Sequence, residues 1–247
     1  CMDDTTVVTG LVLAETGFTA GDAAVDGAGG FVGLYGGSSD LLDAHVDALC
    51  RAPLELHASG IEVKKYPMCY AAHRALDGLL DLRREHGLAL DDVATVDVTC
   101  ARGSLVPLIH SRPLTGLQGK FSMEYAVAAA LADGAVQLAS FEDAAVQRPA
   151  LQAFFAHVRV AEAGDALFPR WTALRLKLRD GRALERRIEA LRGSAELPLR
   201  DDELFAKVAD CHAHAGRTCD PRAMFAAGMG MRSQPVRVLL RALNGGG

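Results

Sequence analysis

The sequence predicts an α+β protein, with an α/β segment set between helical stretches. Three patterns point to it. Leu174, Leu176 and Leu178 alternate with Arg175, Lys177 and Arg179, and Asp180-Gly181 then turns the chain into a second charged run through Leu184 and Ile188. Apolar residues at period two mark strands, and Asp-Gly between two such runs is the favoured two-residue hairpin turn. Over residues 70–86 the period changes: Leu76, Leu79, Leu80 and Leu82 share a helix face, with Arg83, Arg84 and Glu85 toward water. Helical patterns also open and close the chain, over 6–16 and from 203 onward.

In chain order, the helix over 6–16 is expected to stop at Gly17. The glycines that follow (Gly27, Gly29, Gly30, Gly33, Gly36, Gly37) lack the strand before and helix after that a dinucleotide site needs. They predict a loop packed closely on a neighbouring backbone. Residues 61–66 have strand character. The helix over 70–86 ends at Gly87. Val93, Val96 and Val98 alternate with polar positions and predict a strand over 93–99. The Ala-rich run 122–131, closed by Asp133-Gly134, predicts a helix buried on several sides. Short helices follow over 141–146 and 151–157. The basic outer face of the 172–189 hairpin reads as a solvated surface. After Pro198 helices are predicted over 203–213, 221–227 and 234–243. Asp201, Asp202 and Glu203 crowd the start of the first of these, where the helix dipole favours negative charge.

These elements suggest three parts: a helical segment over 1–57, an α/β domain over 58–190, and a helical segment over 191–247. The 57 residues at either end are few for an independent core, so the two outer parts are expected to belong to one helical domain.

Composition narrows the function. Half of the 247 residues are hydrophobic and 23% charged, so a packed core is expected rather than disorder. The net charge of -5, without a basic run, argues against nucleic acid and against an anionic membrane surface as partners. No uncharged apolar stretch is long enough to span a bilayer, and no secretory signal opens the sequence. The six cysteines form no CxxC pair and no zinc spacing, so they are expected to be free thiols in a reducing, cytoplasmic setting. His212 and His214 are two apart on a helix and do not share a face, which argues against a metal site.

Two segments carry candidate chemistry. The first is Val63-Lys64-Lys65-Tyr66-Pro67-Met68-Cys69-Tyr70-Ala71-Ala72-His73, which sets a lysine at a strand end, a proline turn, then a thiol and an imidazole at a helix start. Cys69 and His73 are four apart and share a face if the helix already includes Cys69. The second is Thr115-Gly116-Leu117-Gln118-Gly119-Lys120-Phe121-Ser122-Met123-Glu124-Tyr125, running on into the Ala-rich helix. A tyrosine in such a helix needs a hydrogen-bond partner, either structural or in a site. Lys64 reads either as a carboxylate ligand or as an exposed strand-end lysine. His73 reads as catalytic or as packed within its helix, and Cys69 as a thiol in the site or as a small buried apolar residue. Lys120 reads as a surface or capping lysine. His110 and Arg112, in a Pro- and Gly-rich loop, are further candidates for meeting an anion.

The two segments resemble motifs of the MmgE/PrpD family: a strand-turn-helix of the form K-x-Y/F-P-x-C/H-x-x-x-H, and later A-K/Q-F-S-x-x-Y-A-V-A-A-A-L. Gly119 stands where alanine is usual, and Lys65 where proline is common. The resemblance implies an α/β lid inserted between segments of an all-helical domain, the N-terminal part of that domain being absent from this chain. It implies metal-independent, cofactor-free dehydration, decarboxylation or epimerisation of a small polycarboxylate. It implies Lys64 and Cys69 as substrate-binding residues and Tyr125 and His73 as catalytic ones. It also implies a partner chain carrying the N-terminal helical half, in a symmetric higher oligomer. The alternative is a non-catalytic binding or assembly subunit that keeps the lid fold.

Overall fold

The structure is a computed structural model that describes residues 4–19, 21–25, 27, 30–34, 52–53, 55–58, 60–164, 166 and 168–243. The chain divides into two compact units, Cys1–Gly60 and Ile61–Gly247.

The first unit contains helices α1 (Asp4–Glu15), α2 (Phe31–Leu34) and α3 (Glu55–Ala58). α1 ends at its expected stop: Gly17 has φ +88° and its N–H donates to the Ala14 carbonyl. Leu11, Val12 and Leu13 on α1 are exposed. Gly29, Gly36 and Gly37 of the glycine-rich stretch lie outside the described residues.

The second unit is built on a four-stranded sheet. Its elements are α4 (His73–His86, preceded by a 3-10 turn at Tyr70–Ala72), β1 (Val93–Cys100), α5 (Gly116–Gly119), α6 (Met123–Asp133), α7 (Asp143–Val146), α8 (Pro149–Phe154), β2 (Val158–Glu162), β3 (Thr172–Leu178) and β4 (Ala183–Ile188), followed by α9 (Asp201–His214), α10 (Pro221–Met229) and α11 (Val236–Leu243). The strand order is β2-β1-β3-β4; β2 runs parallel to β1, and the other pairs are antiparallel.

Register decides which side chains the sheet buries. Val96 lies opposite Leu176, Val98 opposite Leu174 and Cys100 opposite Thr172, and all six are buried. The alternate positions face the other way. In one row across the four strands lie Arg159, Asp97, Arg175 and Glu185, with Asp97 within 3.6 Å of Arg159 and Arg175 within 3.3 Å of Glu185. Opposite charges side by side across strands favour this register and let the face remain wet. This is the solvated basic face expected from the hairpin, balanced by Asp97 and Glu185.

α4 and α6 pack on one another; α4 reaches β3 and β4, and α6 reaches β2. α4 buries Leu76, Leu79 and Leu82, each worth roughly 1.5–3 kcal/mol when removed from water. α6 is buried from Met123 to Leu131 except for Glu124. The Ser122 hydroxyl accepts from the Tyr125 N–H (3.1 Å) at its start, and Gly134, with φ +69°, caps its end.

Three expectations change. Residues 61–66 form no strand; among the described residues their backbone bonds the later chain of the second unit through Val63 N–H to Gly193 O at 2.7 Å, a single backbone bridge rather than a ladder. The hairpin turn has three residues, not two: Leu178 N–H bonds Arg182 O, Gly181 N–H bonds Leu178 O, and Gly181 takes φ +92°, the left-handed position of a type I turn with a bulge. A strand not foreseen, β2, pairs with β1.

The tail helices α9, α10 and α11 pack in sequence, with Phe205 and Phe225 in ring contact at 5.6 Å. Neither α9 nor α11 buries a residue fully, and Val236 and Leu240 are exposed. Among the described residues no helix is long and apolar enough to cross a membrane.

α5 is held against the chain by close backbone approach: a Cβ at Gly116 would collide with the Phe141 carbonyl, and the Gly116 N–H donates to Asp143 Oδ1 at 2.7 Å. Because the obstacle is backbone, Gly116→Ala is expected to destabilise the protein by about 1–3 kcal/mol. Urea denaturation measures this; an unchanged midpoint would rule out that close packing.

Candidate functional site

The two motif segments meet. Cys69, just before the 3-10 turn, donates its N–H to the Lys120 carbonyl at 2.9 Å. Residues 51 positions apart in sequence thus lie side by side, which fixes the first motif segment against the loop that leads into α6.

The four predicted residues differ in what they present. Lys64 is exposed and, among the described residues, has no ion pair. Cys69 is half-buried and its thiol is free. His73 is fully buried. Its Nε2 lies 3.3 Å from the Met68 carbonyl, and among the described residues its Nδ1 has no hydrogen-bond partner. Tyr66 and Tyr70 flank its ring edge-on, with centroids at 5.2 and 5.0 Å. Burial pushes the imidazole pKa down to about 4, and the positive charges of Lys64 and Lys207 push it the same way, against the Met68 carbonyl. His73 is therefore a neutral imidazole at pH 7. Tyr125 is fully buried as well. Its hydroxyl donates to the Ser140 carbonyl, its ring meets Phe141 and Phe155, and burial raises its pKa to about 12. A Cβ at Gly119 would approach the Tyr125 ring to 3.1 Å, so glycine at that position leaves room for the tyrosine.

Beside the first motif lies a cleft of about 520 Å³. Lys65, Tyr66 and Pro67 form one end, α4 and the segment 134–138 form a wall, and α9 forms the other wall. None of Lys64, Cys69, His73 or Tyr125 lines it. α9 is tied across the opening at two points: Lys65 Nζ bonds Glu203 Oε1 at 2.7 Å, and Asp210 Oδ2 accepts from the Leu138 N–H at 3.0 Å. Arg200 adds to Glu203 at 3.5 Å. On α4, Asp81 pairs with Arg84 and with Arg192, each at 2.7 Å.

Beneath this end of the cleft, Asp77 is buried and accepts from Tyr66 Oη (2.9 Å) and from the Arg192 N–H (3.0 Å). Burial raises its pKa, with the Arg192 and Tyr66 contacts opposing. Sequence reasoning missed Asp77, Arg192, Glu203 and Lys207. One signal was available: Asp77 stands next to Leu76 on the apolar side of its helix, where an unpaired carboxylate is costly.

His73 gives a pH-dependent stability whose sign follows from its depressed pKa. Above its ordinary value of 6.5 both folded and unfolded imidazoles are neutral. Between pH 6.5 and about 4 only the unfolded chain takes the proton, so stability falls with falling pH, by about 2–3 kcal/mol from this group. His73→Gln is expected to lose that share. Denaturant unfolding at pH 7 and pH 4.5 measures it; an identical pH dependence in the variant would show that His73 titrates normally.

The model for the MmgE/PrpD C-terminal domain matches residues 66–223. No curated protein matches the sequence significantly. The matched span covers Tyr66, Cys69, His73 and Tyr125, the sheet, and the tail as far as Ala223, well over half of the chain. By that match the protein belongs to the MmgE/PrpD family.

Proposed function

We propose that this chain is the C-terminal half, or subunit, of a lyase or isomerase that moves a proton next to a carboxylate of a small polycarboxylate, by dehydration, decarboxylation or epimerisation without a metal. The family is generally enzymatic, with dehydratases and lyases in it. The observation that carries the proposal is the Cys69–Lys120 hydrogen bond, which joins the two motif segments inside the matched domain.

In this proposal residues 58–190 are the lid, and residues 1–57 and 191–247 belong to a helical domain. A partner chain completes that domain with its N-terminal half, and the pair assembles into a symmetric oligomer. The exposed apolar residues of α1 and α11 support an interface there. Lys64, exposed and without a counter-ion among the described residues, neutralises a substrate carboxylate, and Cys69 is the second substrate-binding residue. Charge-assisted contacts of this kind stabilise the carbanion-like charge that builds up next to a carboxylate. His73 and Tyr125 take the acid–base roles. As placed, both are covered, so each meets substrate only when the residues over it move aside; the partner supplies the principal base. Their burial is also the observation that favours the alternative, a binding or assembly subunit that keeps the lid without the chemistry.

Steady-state kinetics of the chain reconstituted with its partner, on a panel of tricarboxylates, separates the two. Lys64→Met is expected to weaken substrate binding roughly tenfold to a hundredfold, the effect of losing about 1.5–3 kcal/mol of charged hydrogen bonding. Tyr125→Phe is expected to lower turnover more than binding, and His73→Gln to lower turnover without unfolding the protein. Near-normal kinetics in all three variants would leave only the non-catalytic role. Light scattering tests the assembly: a monodisperse, well-folded monomer of this chain alone refutes an obligate partner.

A further inference from the structure

We propose that the cleft between α4 and α9 binds a small organic anion, held by Arg83 and Lys207. Its volume of about 520 Å³ falls in the range of small-molecule sites. Its charge is the stronger argument. Six cationic side chains line it against three carboxylates, in a chain whose net charge is -5. Each of the three carboxylates is already bonded to a neighbour, as described above.

Two of the cations have no counter-ion among the described residues. Arg83 donates Nε–H to the Leu131 carbonyl at 3.0 Å and makes no ion pair. Its guanidinium lies over Gly134, where any Cβ would collide with it, so the group is fixed at the cleft wall with its outer N–H groups unused. Lys207, half-buried on α9, has neither a hydrogen bond nor an ion pair among the described residues. Half-buried cations without partners have lost part of their hydration and gained no ion pair in return, so an entering anion recovers charge-assisted hydrogen bonds at both. The planar guanidinium suits a carboxylate or a phosphate, which it can hold through two N–H groups. Leu80, Val136, Leu138 and Ala206 supply apolar wall between the charges, which suits a short carbon chain on the ligand. The ligand class is therefore a carboxylate or phosphate head on a short apolar body. The site uses none of the residues given substrate roles above, so it stands whether or not those roles do.

Cys211 reports on the cleft because it lines it and is exposed. The test uses the full chain with glutarate and, separately, propyl phosphate. Calorimetry gives the dissociation constant, and mass spectrometry gives the rate of Cys211 alkylation by iodoacetamide. At least one probe is expected to bind and to slow alkylation severalfold; which probe does so identifies the head group. Lys207→Met is expected to weaken binding about tenfold or more and to abolish protection. Arg83→Gln should do the same, but it also removes the donor to Leu131, so Lys207→Met decides the matter if that variant fails to fold. Lys64→Met should leave protection of Cys211 intact. Absence of binding by both probes, binding that leaves Cys211 equally reactive, protection that survives Lys207→Met, or protection lost in Lys64→Met would each overturn the proposal.

Discussion

A buried carboxylate, Asp77, holds the first motif segment of the second unit in place. It sits on α4 and accepts from Tyr66 of the first motif and from Arg192 after the hairpin, so three stretches of chain meet on one side chain. Removing either donor would leave a buried acceptor unsatisfied, which costs more than a hydrogen bond contributes when made. That asymmetry is why the segment 61–69 keeps a defined course without belonging to the sheet. Anchored at Val63 by Gly193, at Lys65 by Glu203, at Tyr66 by Asp77 and at Cys69 by Lys120, it is fixed by separate bonds instead of a ladder.

The same anchoring sets the electrostatics. Arg192, drawn in by Asp77, also reaches Asp81 at 2.7 Å and so occupies a carboxylate that faces the cleft. Arg186 of β4 lies 3.9 Å from Asp81 and pairs with Glu85, tying the hairpin to the outer side of α4. Acidic groups on this helix are thus satisfied by arginines from the hairpin and the turn after it. The cations opposite them, on α9 and at the C-terminal end of α4, face the cleft with fewer acids available. On the open face of the sheet the opposite holds, with charges alternating strand by strand and compensating locally.

What the sequence disclosed was what local spacing controls. α4, β1, α6 and the β3–β4 pair are legible because each keeps a single period over at least six residues, and Gly87 and Gly134 mark their ends. β2 was missed because Val158-Arg159-Val160-Ala161-Glu162 is short and owes its strand form to pairing in parallel with β1, a partner 62 residues earlier. The segment 61–66 was misread for the converse reason: it has the composition of a strand but no strand to pair with. At the site, residue types were legible and environments were not. A histidine and a tyrosine in motif positions look alike whether they face a cleft or are sealed beneath aromatic rings, and the contacts that decide it, such as Tyr125 to Ser140 or His73 to Met68, are tertiary. The Lys65–Glu203 pair spans 138 positions and had no signal in local sequence at all.

The adjacent lysines of the first motif show how such contacts separate residues that composition cannot. Lys64 and Lys65 are the same side chain on an extended stretch, where neighbours point to opposite sides. Lys65 turns to the cleft, is held by Glu203 at 2.7 Å and lies 5.6 Å from the Tyr66 ring centre, so its charge is spent within the protein. Lys64 is exposed and keeps its charge toward solvent, near enough to His73 to help hold that imidazole neutral. In the proposed role, an anion arriving at Lys64 would cancel part of that repulsion, a small change beside the burial that chiefly keeps His73 neutral. Lys65 cannot do this without first giving up Glu203, and with it the tie that closes one end of the cleft. The proposal that Lys64 rather than Lys65 meets a carboxylate therefore rests on which of the two has already been neutralised by the fold.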